Sequence, residues 1–476
     1  MASTIHGVRT RGVFLAGEWL ETGEWDDVTS PYSGDVVGRV ARGGAKETRA
    51  AIDAAERALG SPLPAHERAA ILDRIATALG ERVEEAAQLI SAEAGKPIKA
   101  ARGEAARAVD TYTAAAVAAR TLTGETVPMD ASAAGEGKLA FTLRLPIGIV
   151  AAISPFNFPL NLVAHKLAPA LAAGCPVVLK PAPATPLTAL FLAELSADAG
   201  LSGGWLSVVC GPASEIGDVL VEDERVKAIT FTGSGPVGWS LRERAPRKKV
   251  LLELGNSTPM IVAADGDLDA AATAASKYAF AFSGQACISL QRVLVQRSVY
   301  DEFVERLLPK VRELVIGDPA DEATDVGPVI DGRSRDRILD WIAQSGGDVL
   351  VGGGLTDDGL IEPTVVAAPK REAQLSCAEA FGPVCTVQPY DTEDEAFELA
   401  NATPYGLQAG IFTRDVSLAL RAARALEFGG VIVNDAPSIR VDNMPYGGIK
   451  ESGNTREGPA YAVRELTEER LVVIQL

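Results

Sequence analysis

The chain has 476 residues, room for two or three domains of ordinary size, and 47% hydrophobic residues with few aromatics suit large aliphatic cores. Lys and Arg total 45 against 63 Asp plus Glu, and this formal charge of −18 argues against a nucleic-acid or membrane-surface role. Five scattered cysteines without CxxC spacing, and three distant histidines (His6, His66, His165), argue against a disulfide framework or a metal site.

The N-terminus Met-Ala-Ser-Thr-Ile-His lacks a signal-peptide pattern, and no apolar run is long enough to span a membrane, so a cytoplasmic, reduced protein is expected. Residues 45–120 are Ala-rich with charges at helical spacing and read as surface helices. From about 147, strand-like runs Gly148–Ile153, Pro176–Leu179, Leu206–Val209, Ala228–Phe231 and Lys249–Leu252 alternate with helical segments. That alternation predicts parallel βαβ units and a covered sheet. It resumes after Glu253 with strands Met260–Val262, Arg292–Val295, Asp348–Val351, Ala409–Phe412 and Gly430–Val433, and with a helix over Leu268–Phe282. The expected class is α/β, with one α/β domain (1–121 and 147–255), a second α/β domain (256–450) and a small β element (122–146 and 451–476). The hydrophobic end Leu471–Leu476 is expected to pair with 122–146 and to mediate self-association, since a bare apolar edge invites a partner.

Four local patterns carry chemistry. Cys287, in Ser283-Gly-Gln-Ala-Cys-Ile-Ser, follows a Gly-containing turn that can expose a nucleophilic sulfur at a helix end; most isolated cysteines are simply small buried hydrophobes. Glu253, in Leu251-Leu-Glu-Leu-Gly255, follows an apolar strand at the domain boundary and is a candidate base, or else a solvated strand-end carboxylate. Phe231-Thr-Gly233-Ser-Gly235-Pro-Val-Gly238 matches GxGxxG between a strand and a helix, though no acidic residue follows at the usual distance. Ser154-Pro-Phe-Asn157-Phe-Pro lies just beyond a strand's carboxyl end, where α/β sheets bind ligands and an Asn amide can serve an oxyanion.

Taken in order with Leu-Lys180-Pro, Glu379-Ala-Phe381-Gly-Pro and Pro445-Tyr-Gly-Gly-Ile-Lys-Glu-Ser-Gly, these patterns resemble the aldehyde dehydrogenase superfamily from about residue 14 to the end. The resemblance implies that the first unit is a Rossmann-like cofactor domain and the second the catalytic domain of an NAD or NADP enzyme. It implies oxidation of a small polar aldehyde (lactaldehyde, glycolaldehyde, glyceraldehyde 3-phosphate or a semialdehyde) through a thiohemiacetal and thioester on Cys287. It implies Glu253 as the base that activates water, Asn157 with the Cys287 N–H as oxyanion hole, and Lys166 with Glu457 as a proton route. It also places Ser154, Phe156, Lys180, Gly233, Ser234, Glu379 and Phe381 on the cofactor, leaves Gly235 incidental, and implies a homodimer or homotetramer. A CoA-acylating relative and a catalytically silent scaffold are the alternatives; Glu253 speaks against the first, and the presence of Cys287, Glu253 and Asn157 against the second.

The sequence departs from the family in places. Pro183 stands where many NAD-preferring relatives carry a Glu, which leaves the choice of cofactor open. Asn256 replaces a usual Gly, with a small effect expected because Asn tolerates left-handed backbone. Thr455 replaces another Gly, with no reading attached. The segments Gly95–Arg102, Asn161–Lys166 and Val433–Pro445 look like the branch acting on lactaldehyde and glyceraldehyde 3-phosphate. His165 is there a substrate contact or a packing residue. Ser438 and Arg440 are expected on a loop at the tunnel mouth, Arg440 either as an anion anchor or in a surface salt bridge. Ala286, where an Arg is possible, weakens the case for a strongly anionic group held deep in the site.

Overall fold

The computed structural model describes residues 3–5 and 8–476; Met1, Ala2, His6 and Gly7, which belong to the N-terminal run, lie outside it. The sequence alternation becomes two seven-stranded sheets. The first runs Lys249–Glu253, Val226–Thr232, Ile149–Ile153, Val177–Lys180, Leu206–Val208, Val13–Leu15 and Glu18–Leu20, parallel across its first five strands. Among the five parallel strands the chain starts at the central one, Ile149–Ile153, builds outward on one side, then returns to build on the other. The crevice beside that strand is therefore a topological switch point, open at the carboxyl ends.

The second sheet runs Asp348–Val351, Thr364–Ala367, Val384–Tyr390, Leu290–Gln296, Thr258–Val262, Gln408–Phe412 and Gly430–Val433, parallel except at its first pair. Thr364–Ala367 and Val384–Tyr390 are additional to the strands expected from sequence. Its helices start at side-chain caps: Asp267 accepts from Ala270 N (3.0 Å), and Asp331 from Ser334 N (2.7 Å).

The Ala-rich region is less superficial than its composition suggests. In the helix Ile98–Thr121 the alanines at 101, 105, 108, 115 and 116 are fully buried, because small side chains let it lie close to neighbouring helices. The helix Asn161–Ala173 is buried on all sides. Its first amides, of Leu160 and Asn161, are capped by Glu104 (2.9 and 3.1 Å), which also pairs with the buried Lys96.

The C-terminal strand Thr467–Gln475 pairs antiparallel along Lys138–Pro146, with Thr126–Val127 on the far edge. Leu471, Val473, Leu139 and Leu143 remain exposed there. No helix among the described residues is long and apolar enough to cross a membrane.

Candidate active site

Two sheets meet at one cavity of about 340 Å³. The first sheet contributes residues at and beyond the carboxyl ends of its strands: Ser154–Asn157, Lys180–Pro183, Thr232–Ser234 and Glu253–Gly255. The second contributes residues that lead into its strands: Cys287 before Leu290, and Glu379 and Phe381 before Val384.

Cys287 does not sit at a helix end. The helix expected to reach Phe282 stops at Tyr278, and Phe282, Ser283 and Gly284 all take positive φ (49°, 56°, 68°). This left-handed run turns the chain into the cysteine loop. It is held because Ser283 Oγ donates to Gly327 O (2.7 Å), and Gln285 Nε2 to Pro328 O (3.2 Å). With no helix starting at the sulfur, no helix dipole favours the thiolate, and burial pushes the thiol up to about 12. The sulfur lies 2.8 Å from the Tyr446 hydroxyl.

Asn157 Nδ2 donates to Gln285 O (2.9 Å), which fastens the amide to the cysteine loop and leaves its second N–H free. The Cys287 N–H has no acceptor among the described residues. Glu253 is 3% exposed, and neither of its oxygens has a hydrogen-bond partner there. Desolvation, then the neighbouring Glu457, raises its pKa well above the ordinary carboxylate value. Burial also acts on Glu457, but Arg440 and Lys166 outweigh it and hold that carboxyl low. Lys166 Nζ stands 3.7 Å from Glu457 and donates to Thr232 Oγ1 (2.6 Å).

The cavity fits a dinucleotide. A Cβ on Gly233 would meet the Phe231 ring at 2.6 Å, and one on Gly238 would meet Leu254 at 2.6 Å, whereas one on Gly235 meets nothing. Gly233 and Gly238 thus let the turn and its helix lie close to the sheet, and Gly235 is spatially incidental. Ser234 is the N-cap of Gly235–Arg244, yet its hydroxyl makes no capping bond and the residue lines the cavity. Lys180 is 4% exposed, and among the described residues its ammonium donates only to Pro181 O (3.2 Å). Glu379 accepts from Asn256 N (3.0 Å) and is pushed up to about 7 by burial. Phe156 and Phe381 pack edge to face at 5.8 Å.

Three expectations change in physical character. Asn256 is not left-handed: it is 2% exposed and bonds Thr258 Oγ1 (2.8 Å), Gln408 O (3.1 Å) and Leu407 N (3.3 Å). It pins the crossing between the sheets, where a glycine would offer no side chain. Arg440 is not in a surface pair: its side chain is 6% exposed, bonds Glu457 (2.8 Å) and stacks 3.8 Å over Tyr446. Ser438 Oγ donates to Ile288 O, beside Cys287, and so is committed to the backbone.

His165 is buried, with Nε2 2.8 Å from Asp442 and Nδ1 without a partner among the described residues. Asp442 also receives Asn161 Nδ2 (2.9 Å) and both arms of Arg107 (3.0 and 2.8 Å). Burial and Arg440 lower the His165 pKa, so the ring is neutral. Tyr446, Asp442 and Arg107 carried no local signal: each acts through a partner more than a hundred residues away.

A model described as the aldehyde dehydrogenase family matches residues 19–472. The chain is 43% identical over 471 residues to a 3-sulfolactaldehyde dehydrogenase of Priestia aryabhattai, covering 98% of this chain and 99% of that protein. Among solved structures, aldehyde dehydrogenase 21 of Physcomitrella patens in complex with the reaction product succinate is similar at TM-score 0.94 and 42% identity, over 98% of both chains. The glyceraldehyde-3-phosphate dehydrogenase GapN of Methanocaldococcus jannaschii complexed with NADP is similar at TM-score 0.91 and 39% identity, covering 95% of this chain and 100% of that one.

Proposed function

Because the chain belongs to the aldehyde dehydrogenase family and oxidises an aldehyde with NAD or NADP, we propose that its substrate is a short aldehyde bearing an anionic group at the far end. The observation that carries this reading is the buried cation Arg440, close to Cys287, whose Nε has no partner among the described residues. A buried donor left unpaired costs about 1–3 kcal/mol, which an anionic substrate oxygen would offset. The names of the relatives, carrying sulfonate, carboxylate and phosphate compounds, support the same class.

In the chemistry we propose, the Cys287 thiolate attacks the aldehyde carbon and forms a tetrahedral thiohemiacetal. Its anionic oxygen takes the free N–H of Asn157 and the backbone N–H of Cys287. NAD(P)⁺, when bound, accepts the hydride, and Ser154, Phe156, Lys180, Gly233, Ser234, Glu379 and Phe381 would hold it. The thioester left on Cys287 is cleaved by water that Glu253 deprotonates, with Glu457 and Lys166 carrying the proton away.

Residues 1–121 and 147–255 serve the cofactor in this reading, and 256–450 the nucleophile. The sheet formed by 122–146 and the terminal strand of 451–476, with its exposed leucines and valines, joins subunits into a dimer or tetramer. Five unpaired cysteines suit a reducing cytoplasm.

The test is cofactor reduction at 340 nm with lactaldehyde, glycolaldehyde, glyceraldehyde 3-phosphate, succinate semialdehyde and an apolar aldehyde. We expect the anionic members to lead in kcat/KM by at least about tenfold, with that lead lost in Arg440→Gln. Equal rates on the apolar aldehyde would discard the anion reading.

A further inference from the structure

The phenol of Tyr446 has one hydrogen-bond partner among the described residues, the sulfur of Cys287 at 2.8 Å. It is 2% exposed and walled by Ile288 and Leu407, so no bulk water competes for its proton. Its backbone is pinned from both sides, because Tyr446 and Glu457 exchange N–H···O bonds of 3.1 and 2.6 Å. The Arg440 guanidinium lies 3.8 Å above its ring and bonds the Glu457 carboxylate at 2.8 Å. One arginine therefore touches both the residue bonded to the nucleophile and the carboxylate beside Glu253.

We infer that Tyr446 is a further catalytic residue, which donates its O–H to the Cys287 thiolate and holds the sulfur in its reactive form. This rests on Cys287 being the nucleophile. With a neutral thiol either atom can donate; once the thiol is ionised only the phenol can, so the bond strengthens as the thiolate forms. The charged groups facing the sulfur divide by sign: Arg440 favours the thiolate, while Glu379 and Glu253 oppose it. The phenol keeps its own proton, since burial and the adjacent sulfur hold it well above its ordinary range. The thiol proton leaves to water or to ionised Glu253. A cation over the ring face withdraws density from the phenol and makes its O–H a better donor.

The experiment is the rate of iodoacetamide alkylation of the cofactor-free enzyme between pH 6 and 10, with the label located by peptide mass, for wild type and Tyr446→Phe. The phenylalanine keeps the ring and removes the donor. We expect the alkylation profile to move about one pH unit to alkaline, the scale of a hydrogen bond to a charged group. The acid limb of kcat/KM should move with it, at nearly constant KM. Superimposable profiles would overturn the inference. If Tyr446→Phe does not fold, Tyr446→3-fluorotyrosine, a more acidic phenol and so a better donor, should move the profile to acid, and a profile that stays in place would overturn the inference equally. Turnover surviving complete labelling of Cys287 would instead reject the nucleophile assignment, a separately readable failure.

Discussion

The sheet centred on Ile149–Ile153 and the sheet centred on Leu290–Gln296 have the same number of strands and nearly the same parallel build, yet they meet the cavity with opposite ends. The first presents loops that leave its strands toward helix starts. None of the residues it contributes there has positive φ. The helix Gly235–Arg244 starts at one of those ends with no side-chain cap, and small residues lie around it, which suits binding a phosphate-bearing cofactor. The second presents loops that arrive at its strands, and these are strained: Phe282, Ser283 and Phe381 are non-glycine residues at φ of 49°, 56° and 50°. Such residues cost about 1–3 kcal/mol each and persist only where the surroundings over-determine them. The first sheet thus lines the cavity with relaxed backbone, and the second, in the loops that carry Cys287 and Phe381, with backbone that packing must hold.

Substitutions on either side of the cavity test this division. The largest effect is expected for Cys287→Ala, which should abolish turnover while NAD(P) affinity by fluorescence titration changes less than about twofold, the cofactor loops being untouched. A large loss of affinity would show that the two sides are not separable. Glu253→Gln should lower steady turnover by about 10²–10⁴-fold yet leave a burst of reduced cofactor in stopped flow. A slow reaction without a burst would move Glu253 to an earlier step. In the proposed chemistry both Cys287 and Glu253 act deprotonated, and burial raises both above their ordinary values, so turnover should climb as pH rises through neutrality. The smallest effect separates two glycines of one turn. Gly238→Ala should weaken cofactor binding, because its Cβ would enter Leu254. Gly235→Ala, with nothing within reach and a helical backbone, should stabilise by about 0.5–1 kcal/mol in thermal melts. Equal behaviour of the two would remove the packing argument.

Much of this is legible along the chain. The five parallel strands of the first sheet lie within two residues of their expected bounds, because an apolar run between turn residues is a local signal, whereas Val13–Leu15 and Glu18–Leu20 are not among the expected strands. Asp348–Val351 and Gly430–Val433 match their expected ranges. The helix expected over Leu268–Phe282 is too long because composition stays apolar after Tyr278; only the close approach of Gly284 to Gly382 shows why the backbone must turn left-handed. The segment 451–466 precedes the terminal strand and reaches the site through Glu457, which pairs with Lys166 and Arg440, while Asn454 bonds Leu252 N and Val250 O on the edge strand Lys249–Glu253.

The order of residues along the chain was enough to determine which chemistry is available here: a cysteine, a carboxylate, an asparagine and a glycine turn, each beside the local element that presents it. Tertiary structure alone decided their state. Burial, and contacts formed largely between residues more than a hundred positions apart, put Tyr446 against the sulfur, took Arg440 off the surface and left both oxygens of Glu253 without partners among the described residues. Desolvation and pairing depend on what surrounds a group in space, and no spacing along the chain encodes that.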